Sequence, residues 1–168
     1  MGMDKSIAII TARGGSKRIS GKNIKMFCGK PIIEYSIREA INSEQFDEVM
    51  VSTDSKEIAA ITKKCGANIP FMRSKELASD TTTDETLMGV LNDYKKIGQQ
   101  FKYMCCIYPT APFVTADKLM SAMQLMREKN PEQIIPIVVS EMEVQDIDTE
   151  ENWELAEIKY MLMQRKTI

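Results

Sequence analysis

The chain has no histidine, and that single absence removes a large block of chemistry. A histidine general base is excluded, and so are metal centres that rely on imidazole. Four cysteines are present, Cys28, Cys65, Cys105 and Cys106, but none stands in C-x-x-C spacing. The adjacent Cys105-Cys106 sits within an apolar run and reads as core, which fits a reducing cytoplasm. No apolar stretch reaches the ~18 residues that span a bilayer, and no secretory leader is recognisable. A cytoplasmic chain without a membrane partner is therefore expected. Strong charge of either sign is missing as well. A net charge of −2 argues against nucleic acid, whose partners carry a broad basic face. At 168 residues the chain has room for one domain, 1–168, and not for two.

What is present is a marked asymmetry along the chain. From Lys5 to Ile33 there are seven Lys or Arg and no acid, whereas Asn130 to Ile158 carries nine acids and no base. One end attracts phosphate, and the other can hold a cation that bridges to it.

Periodicity gives strands alternating with helices. Apolar runs near 6–11, 47–52 and 101–108 read as strands, with shorter ones near 69–72 and 134–139. Helical spacing follows each of the longer runs. Ile33, Ser36, Ile37, Ala40 and Ile41 form one stripe. Asp54 with Glu57 resembles a capping box ahead of Ile58 and Ile61, with Gly66 as the stop. Further helices are expected over 84–98, after Thr115 and after Thr149. This alternation predicts a three-layer α/β domain with a mainly parallel sheet. Right-handed crossovers then bring every strand-to-helix loop to the carboxyl edge, where ligands bind in such sheets.

Three loops at that edge carry chemistry. The first is Ala12-Arg13-Gly14-Gly15-Ser16-Lys17-Arg18 followed by Lys22-Asn23. Paired glycines after a strand let backbone N–H groups approach an anion, and Arg13 and Lys17 can neutralise a polyphosphate and the charge of its transition state. It is neither a Walker A loop nor a dinucleotide fingerprint. Asn23 fits a turn equally well. The second loop is Pro109-Thr110-Ala111-Pro112, rigid, with Thr110 offering a hydroxyl; an ordinary strand-to-helix connection also fits. The third is Asp146-Ile147-Asp148-Thr149. Carboxylates at i and i+2 on extended backbone share a side and suit one hard cation, while an N-cap role at Asp148 or Thr149 is equally compatible. Arg73 and the polar run to Asp84 form a long connection of the functional kind, with Asp84 as a possible N-cap.

The string Ala12 to Ile19, with Asn23 after three more residues, resembles the nucleotide-binding signature of the CMP–sugar-acid synthetases, a cytidylyltransferase family. Val51-Ser52-Thr53-Asp54, Leu77-Ala78-Ser79-Asp80, Tyr108 to Pro112 and Gln145 to Thr149 extend the likeness. The wording from Cys105 to Phe113 is most similar to the branch that acts on pseudaminic acid. The resemblance runs from Lys5 to about Arg127 and again from about Ile134 to Tyr160. It implies a Rossmann-like nucleotidyltransferase fold and a CTP-dependent enzyme that moves CMP to a nine-carbon sugar acid and releases pyrophosphate. It implies catalytic roles for Arg13 and Lys17. Nucleotide contacts are implied at Ala12, Arg13, Gly14, Gly15, Ser16, Lys17, Lys22, Asn23, Arg73, Pro109, Thr110 and Ala111. Magnesium would be held by Asp146 and Asp148. Members of the family often carry Gln where this chain has Tyr108, and many carry Ser where it has Asp84.

Near residues 129–134 part of the family pattern is missing. The resembling enzymes insert there a strand, a projecting dimerisation element and sugar-contacting residues. The expectation is therefore a shortened acceptor and dimer region. Alternatives are a nucleotide-binding remnant with impaired catalysis, or a synthetase for sialic or legionaminic acid.

Overall fold

The computed structural model describes residues 4–16, 18–74, 82–129 and 137–166. Its elements in chain order are β1 (Ser6–Thr11), a short hairpin of β2 (Met26–Phe27) and β3 (Lys30–Pro31), and α1 (Ile32–Asn42). Then come β4 (Glu48–Ser52), α2 (Lys56–Lys64), α3 (Thr83–Lys96), β5 (Tyr103–Ile107), α4 (Ala116–Glu128) and α5 (Glu150–Lys166).

Strand β1 is apolar on both sides because it is covered on both sides. Ala8 and Ile10 pack with Ile33, Ile37 and Ala40 of α1, Ile58 of α2 and Leu119 of α4. Ile7 and Ile9 pack with Leu87, Val90 and Tyr94 of α3 on the opposite face. A strand buried on both faces loses the polar alternation of a half-exposed one, as its sequence shows. The sheet order is β4-β1-β5, all parallel, with Ile9 opposite Met50 on one side and Cys106 on the other. The expected three layers and parallel sheet are present.

A third apolar cluster lies outside the sheet. Phe27, Ile32, Phe113, Ile147, Trp153 and Ala156 are buried together. It ties α5 to the hairpin β2–β3 and to the loop after β5. Trp153 and Tyr160 both meet the Phe27 ring edge-on.

Local chemistry fixes the ends of the helices, and two of them differ from the sequence expectation. The N-cap of α2 is Ser55, whose hydroxyl accepts the Ile58 N–H, so Asp54 is released for another task. The N-cap of α3 is Thr82, in a reciprocal box with Glu85, and Asp84 lies in the first turn instead. Helices α4 and α5 begin after Thr115 and Thr149 as expected, and the two threonine hydroxyls cap them, so that of the two cap candidates at 148–149 it is Thr149 that takes the Asn152 N–H. Gly66 and Gly98, at φ +91° and +78°, turn the chain after α2 and α3. The run near 69–72 forms no strand; one bridge pairs Asn68 with Met50 instead. Of the expected strand near 134–139, residues 134–136 lie outside the described residues and 137–139 belong to no strand. Val138 is 91% exposed there, which a buried sheet strand would not allow. Among the described residues no helix is long and apolar enough to cross a membrane.

Candidate active site

Strands β1, β4 and β5 end side by side, and the loops that follow them build one cleft of about 380 Å³. Arg13 and Ser16 come from the first loop, Lys22 and Asn23 from a 3-10 turn beyond it, and Arg73 from the segment after β4. Pro109 and Thr110 close the side next to β5. Seven of the predicted nucleotide residues therefore converge although they span almost a hundred positions.

Each is held by a specific contact. The buried Asn23 amide donates to the Arg13 carbonyl at 2.9 Å, so its work is to fix the backbone from which Arg13 projects. Arg73 donates from Nη2 to the Ser52 carbonyl at 3.0 Å and from Nε to the Ser52 hydroxyl at 3.2 Å. Its backbone N–H also reaches the Thr53 carbonyl at 2.8 Å. Desolvation lowers the Arg73 pKa, an effect opposed by the Asp54 carboxylate and reinforced by Arg13. The guanidinium stays charged regardless, since its ordinary value lies so far above neutrality. Two like charges thus face a common space, an arrangement that favours an anion between them.

The glycine pair behaves differently from a free anion nest. The Gly14 N–H donates to Asp54 Oδ1 at 2.7 Å and is already spent. Gly14 is crowded, because a Cβ there would lie 3.0 Å from Ser55 Cβ. Gly15 has open space around it and lines no wall of the cleft. Ala12 is fully buried and donates its N–H to Ser52 in the ladder, which places it in the frame and not in the cleft. Lys17 lies outside the described residues, as do residues 75–81 of the polar run. Thr82, Thr83 and Thr86 at the start of α3 line the cleft; their helix-capping position was the available signal.

A second cavity, about 720 Å³, adjoins the first. Lys22, Tyr108 and Thr110 line both. Ala111 belongs to this larger space, together with Phe113, Val144 and Ile147. The Tyr108 carbonyl accepts from the buried Ser36 hydroxyl at 2.9 Å, anchoring the residue while its ring stays exposed. Lys118 and Glu143 form a wall through a 2.8 Å ion pair, which periodicity and motifs did not signal.

Asp146 and Asp148 border the larger cavity. Asp146 is exposed. Asp148 is engaged on both oxygens: Lys22 Nζ stands 3.4 Å from Oδ1, and Arg18 Nη1 pairs with Oδ2. Lys22 Nζ also donates to the Ile147 carbonyl at 2.5 Å. Desolvation pushes the Asp148 carboxyl up, but the Lys22 hydrogen bond and the Arg18 and Lys22 charges outweigh it and hold the group below its ordinary value. No cluster of three metal-ligating side chains occurs among the described residues. The donors nevertheless fit a small hard cation, which takes one or two carboxylates and completes its shell with phosphate and water. Burial pushes the Cys105 thiol up to about 11 and raises Cys106 too, so neither is a reactive thiolate.

A family model described as cytidylyltransferase matches residues 7–165. The pseudaminic acid cytidylyltransferase of Campylobacter jejuni subsp. jejuni serotype O:2 is 44% identical over 119 residues, covering 70% of this chain and 51% of that protein. The CMP-N,N'-diacetyllegionaminic acid synthase of Legionella pneumophila is 34% identical over 149 residues, covering 87% and 64%. The chain thus spans about half to two thirds of the length of these relatives. Among solved structures, a CMP:2-keto-3-deoxy-manno-octonic acid synthetase complexed with CTP superposes with a TM-score of 0.64 at 22% identity, covering 74% of this chain and 48% of that one. That likeness concerns the fold.

Proposed function

The chain belongs to the cytidylyltransferase family, and from that premise we propose that it transfers CMP from CTP to a nonulosonic acid, with pseudaminic acid as the acceptor. The observation that carries this reading is the convergence of Arg13, Lys22 and Arg73 with Ser16 and Thr110 on one cleft that opens into a larger neighbour. Both volumes suit small-molecule sites. The smaller, cationic cleft takes the triphosphate. The larger, mixed apolar and polar space takes the acceptor.

In this arrangement the α-phosphorus lies at the boundary marked by Lys22, Tyr108 and Thr110. The sugar's anomeric hydroxyl attacks in line, the new P–O bond forms, and the bond to the β-phosphate breaks to release pyrophosphate. Arg13 and Arg73 balance the charge that gathers on the phosphates. The chain has no histidine, and among the described residues of the cavity wall the carboxylates Glu143, Asp146 and Asp148 are placed to take the hydroxyl's proton. Asp146 and Asp148 would hold a magnesium ion, which when bound polarises phosphate and acidifies a hydroxyl.

Pseudaminic acid is favoured by the relative at 44% identity. The legionaminic acid synthase, which matches more of this chain, supports a related nine-carbon acceptor as the second reading. The deciding assay is pyrophosphate release with CTP, magnesium and separate nonulosonic acids. Release with pseudaminic acid and not with the others is the expected result. CTP binding without release for any acceptor would identify a nucleotide-binding chain with impaired catalysis.

A further inference from the structure

We propose that Lys22 is an exchangeable cation, held by Asp148 in the nucleotide-free chain and surrendered to the triphosphate on nucleotide binding, so that nucleotide opens Asp148, whose other partner Arg18 is exposed and labile, to a divalent cation. The proposal rests on the cytidylyl-transfer reading above and adds a coupling between its two binding sites.

Both oxygens of Asp148 carry a cation, Lys22 on Oδ1 and Arg18 on Oδ2. A divalent ion needs at least one of them. Lys22 stands where the two cavities meet, lining both, so the same ammonium is within the reach of Asp148 and of an anion in the smaller cleft. Its second anchor, the Ile147 carbonyl, is neutral. Arg18 is 69% exposed against 35% for Asp148. A pair that open to water is weak and reversible, so a divalent ion displaces Arg18 readily, while a triphosphate with several charges outcompetes one carboxylate for Lys22. Neighbouring charges point the same way. Asp146 follows the same wall without an ion-pair partner among the described residues, while Lys118 is occupied by Glu143. Removing Lys22 from Asp148 therefore leaves adjacent carboxylates screened by the exposed Arg18 alone among the described residues, an inducement to bind a metal. Coupling of this kind is reciprocal: if nucleotide raises the affinity for metal, bound metal raises the affinity for nucleotide by the same factor.

The test uses the full chain and two probes. Manganese titrated into nucleotide-free protein is followed by the paramagnetic resonance of the free ion. Arg18→Gln should bind it about two- to fivefold tighter than the parent, the range that an exposed ion pair supports. Arg18→Gln combined with Asp148→Asn should lose that gain. Metal-free CTP, titrated calorimetrically in chelator, should bind Asp148→Asn about two- to fivefold tighter than the parent, because the competing carboxylate charge is gone. A merely structural ion pair predicts no tightening, or weaker binding from a loosened loop. Circular dichroism of each variant confirms that folded protein is compared. If the parent binds CTP and neither titration shifts, the proposal is overturned alone. If the parent takes no CTP at all, the cytidylyl reading falls and carries the proposal with it.

Discussion

The Asp54 carboxylate accepts the Gly14 N–H at 2.7 Å and holds the first loop against the start of α2. The two glycines of that loop consequently differ in kind. A Cβ on Gly14 meets Ser55 Cβ at 3.0 Å, whereas one on Gly15 meets nothing within 4 Å. Gly14→Ala should destabilise the chain by about 1 kcal/mol, at the mild end of overpacking. Gly15→Ala should leave the melting temperature unchanged. Thermal unfolding of both variants decides it, and equal losses would contradict the crowding argument.

Arg73 depends on its fork. Lysine at this position keeps the charge but cannot make both contacts to Ser52. Arg73→Lys should weaken CTP binding about tenfold, in line with losing one hydrogen bond from a charged donor. Calorimetric titration is the measurement, and undiminished affinity would remove Arg73 from the phosphate wall.

The larger cavity can be filled without touching the smaller one. Val144 lines only the former. Val144→Trp should raise the acceptor KM at least about tenfold, a loss on the order of 1.4 kcal/mol, while CTP affinity stays at the parent value. Steady-state kinetics with the acceptor varied separate the two; a KM that does not move would place the acceptor elsewhere.

Trp153 is 3% exposed in the cluster that docks α5. Trp153→Ala should cost about 3–5 kcal/mol, as for other buried aromatics. Denaturant unfolding reads the cost directly. A loss under about 1 kcal/mol would mean that α5 is held by other contacts.

Asp47 accepts the Ser6 N–H at 2.7 Å, and this backbone hydrogen bond lowers its pKa against opposing desolvation. A depressed carboxyl stabilises the folded chain above its unfolded value, near 3.9, and that contribution disappears as pH falls through the lower folded value. Asp47→Asn should flatten the acid side of the stability–pH curve below about pH 4 and leave its slope near neutrality unchanged. An acid limb identical to the parent's would refute the assignment.

Strand β1 and the stripe of α1 were legible because burial on a sheet or helix writes a local period into the sequence. So was the convergence of the loops at the carboxyl edge, which follows from parallel topology. What stayed hidden depends on choices between neighbours or on distant pairing. Asp54 and Ser55 are both good caps, and only the position of Gly14 settles that Ser55 caps while Asp54 binds the loop. Glycines after a strand looked like an anion nest, yet the N–H of Gly14 is satisfied within the chain. The hold of Arg18 and Lys22 on Asp148 crosses more than 120 positions and leaves no periodic trace. The Lys118–Glu143 wall is equally unwritten, since each residue alone reads as ordinary surface charge.

The cluster that joins α5 to the β2–β3 hairpin also sets an order of assembly. Lys25 lies over the Trp153 ring at 4.7 Å and pairs with Glu150, and Lys22 rests on Ile147. Residues 18–27 are made before the groups that complete their surroundings, which follow more than a hundred residues later. At roughly 5–20 residues per second, Lys22 and Lys25 wait about 6–25 seconds for those partners. The docking of α5 on this stretch is therefore the later event, and a chain halted before Trp153 would hold the sheet's strands and the lining of the smaller cleft with α5 still undocked.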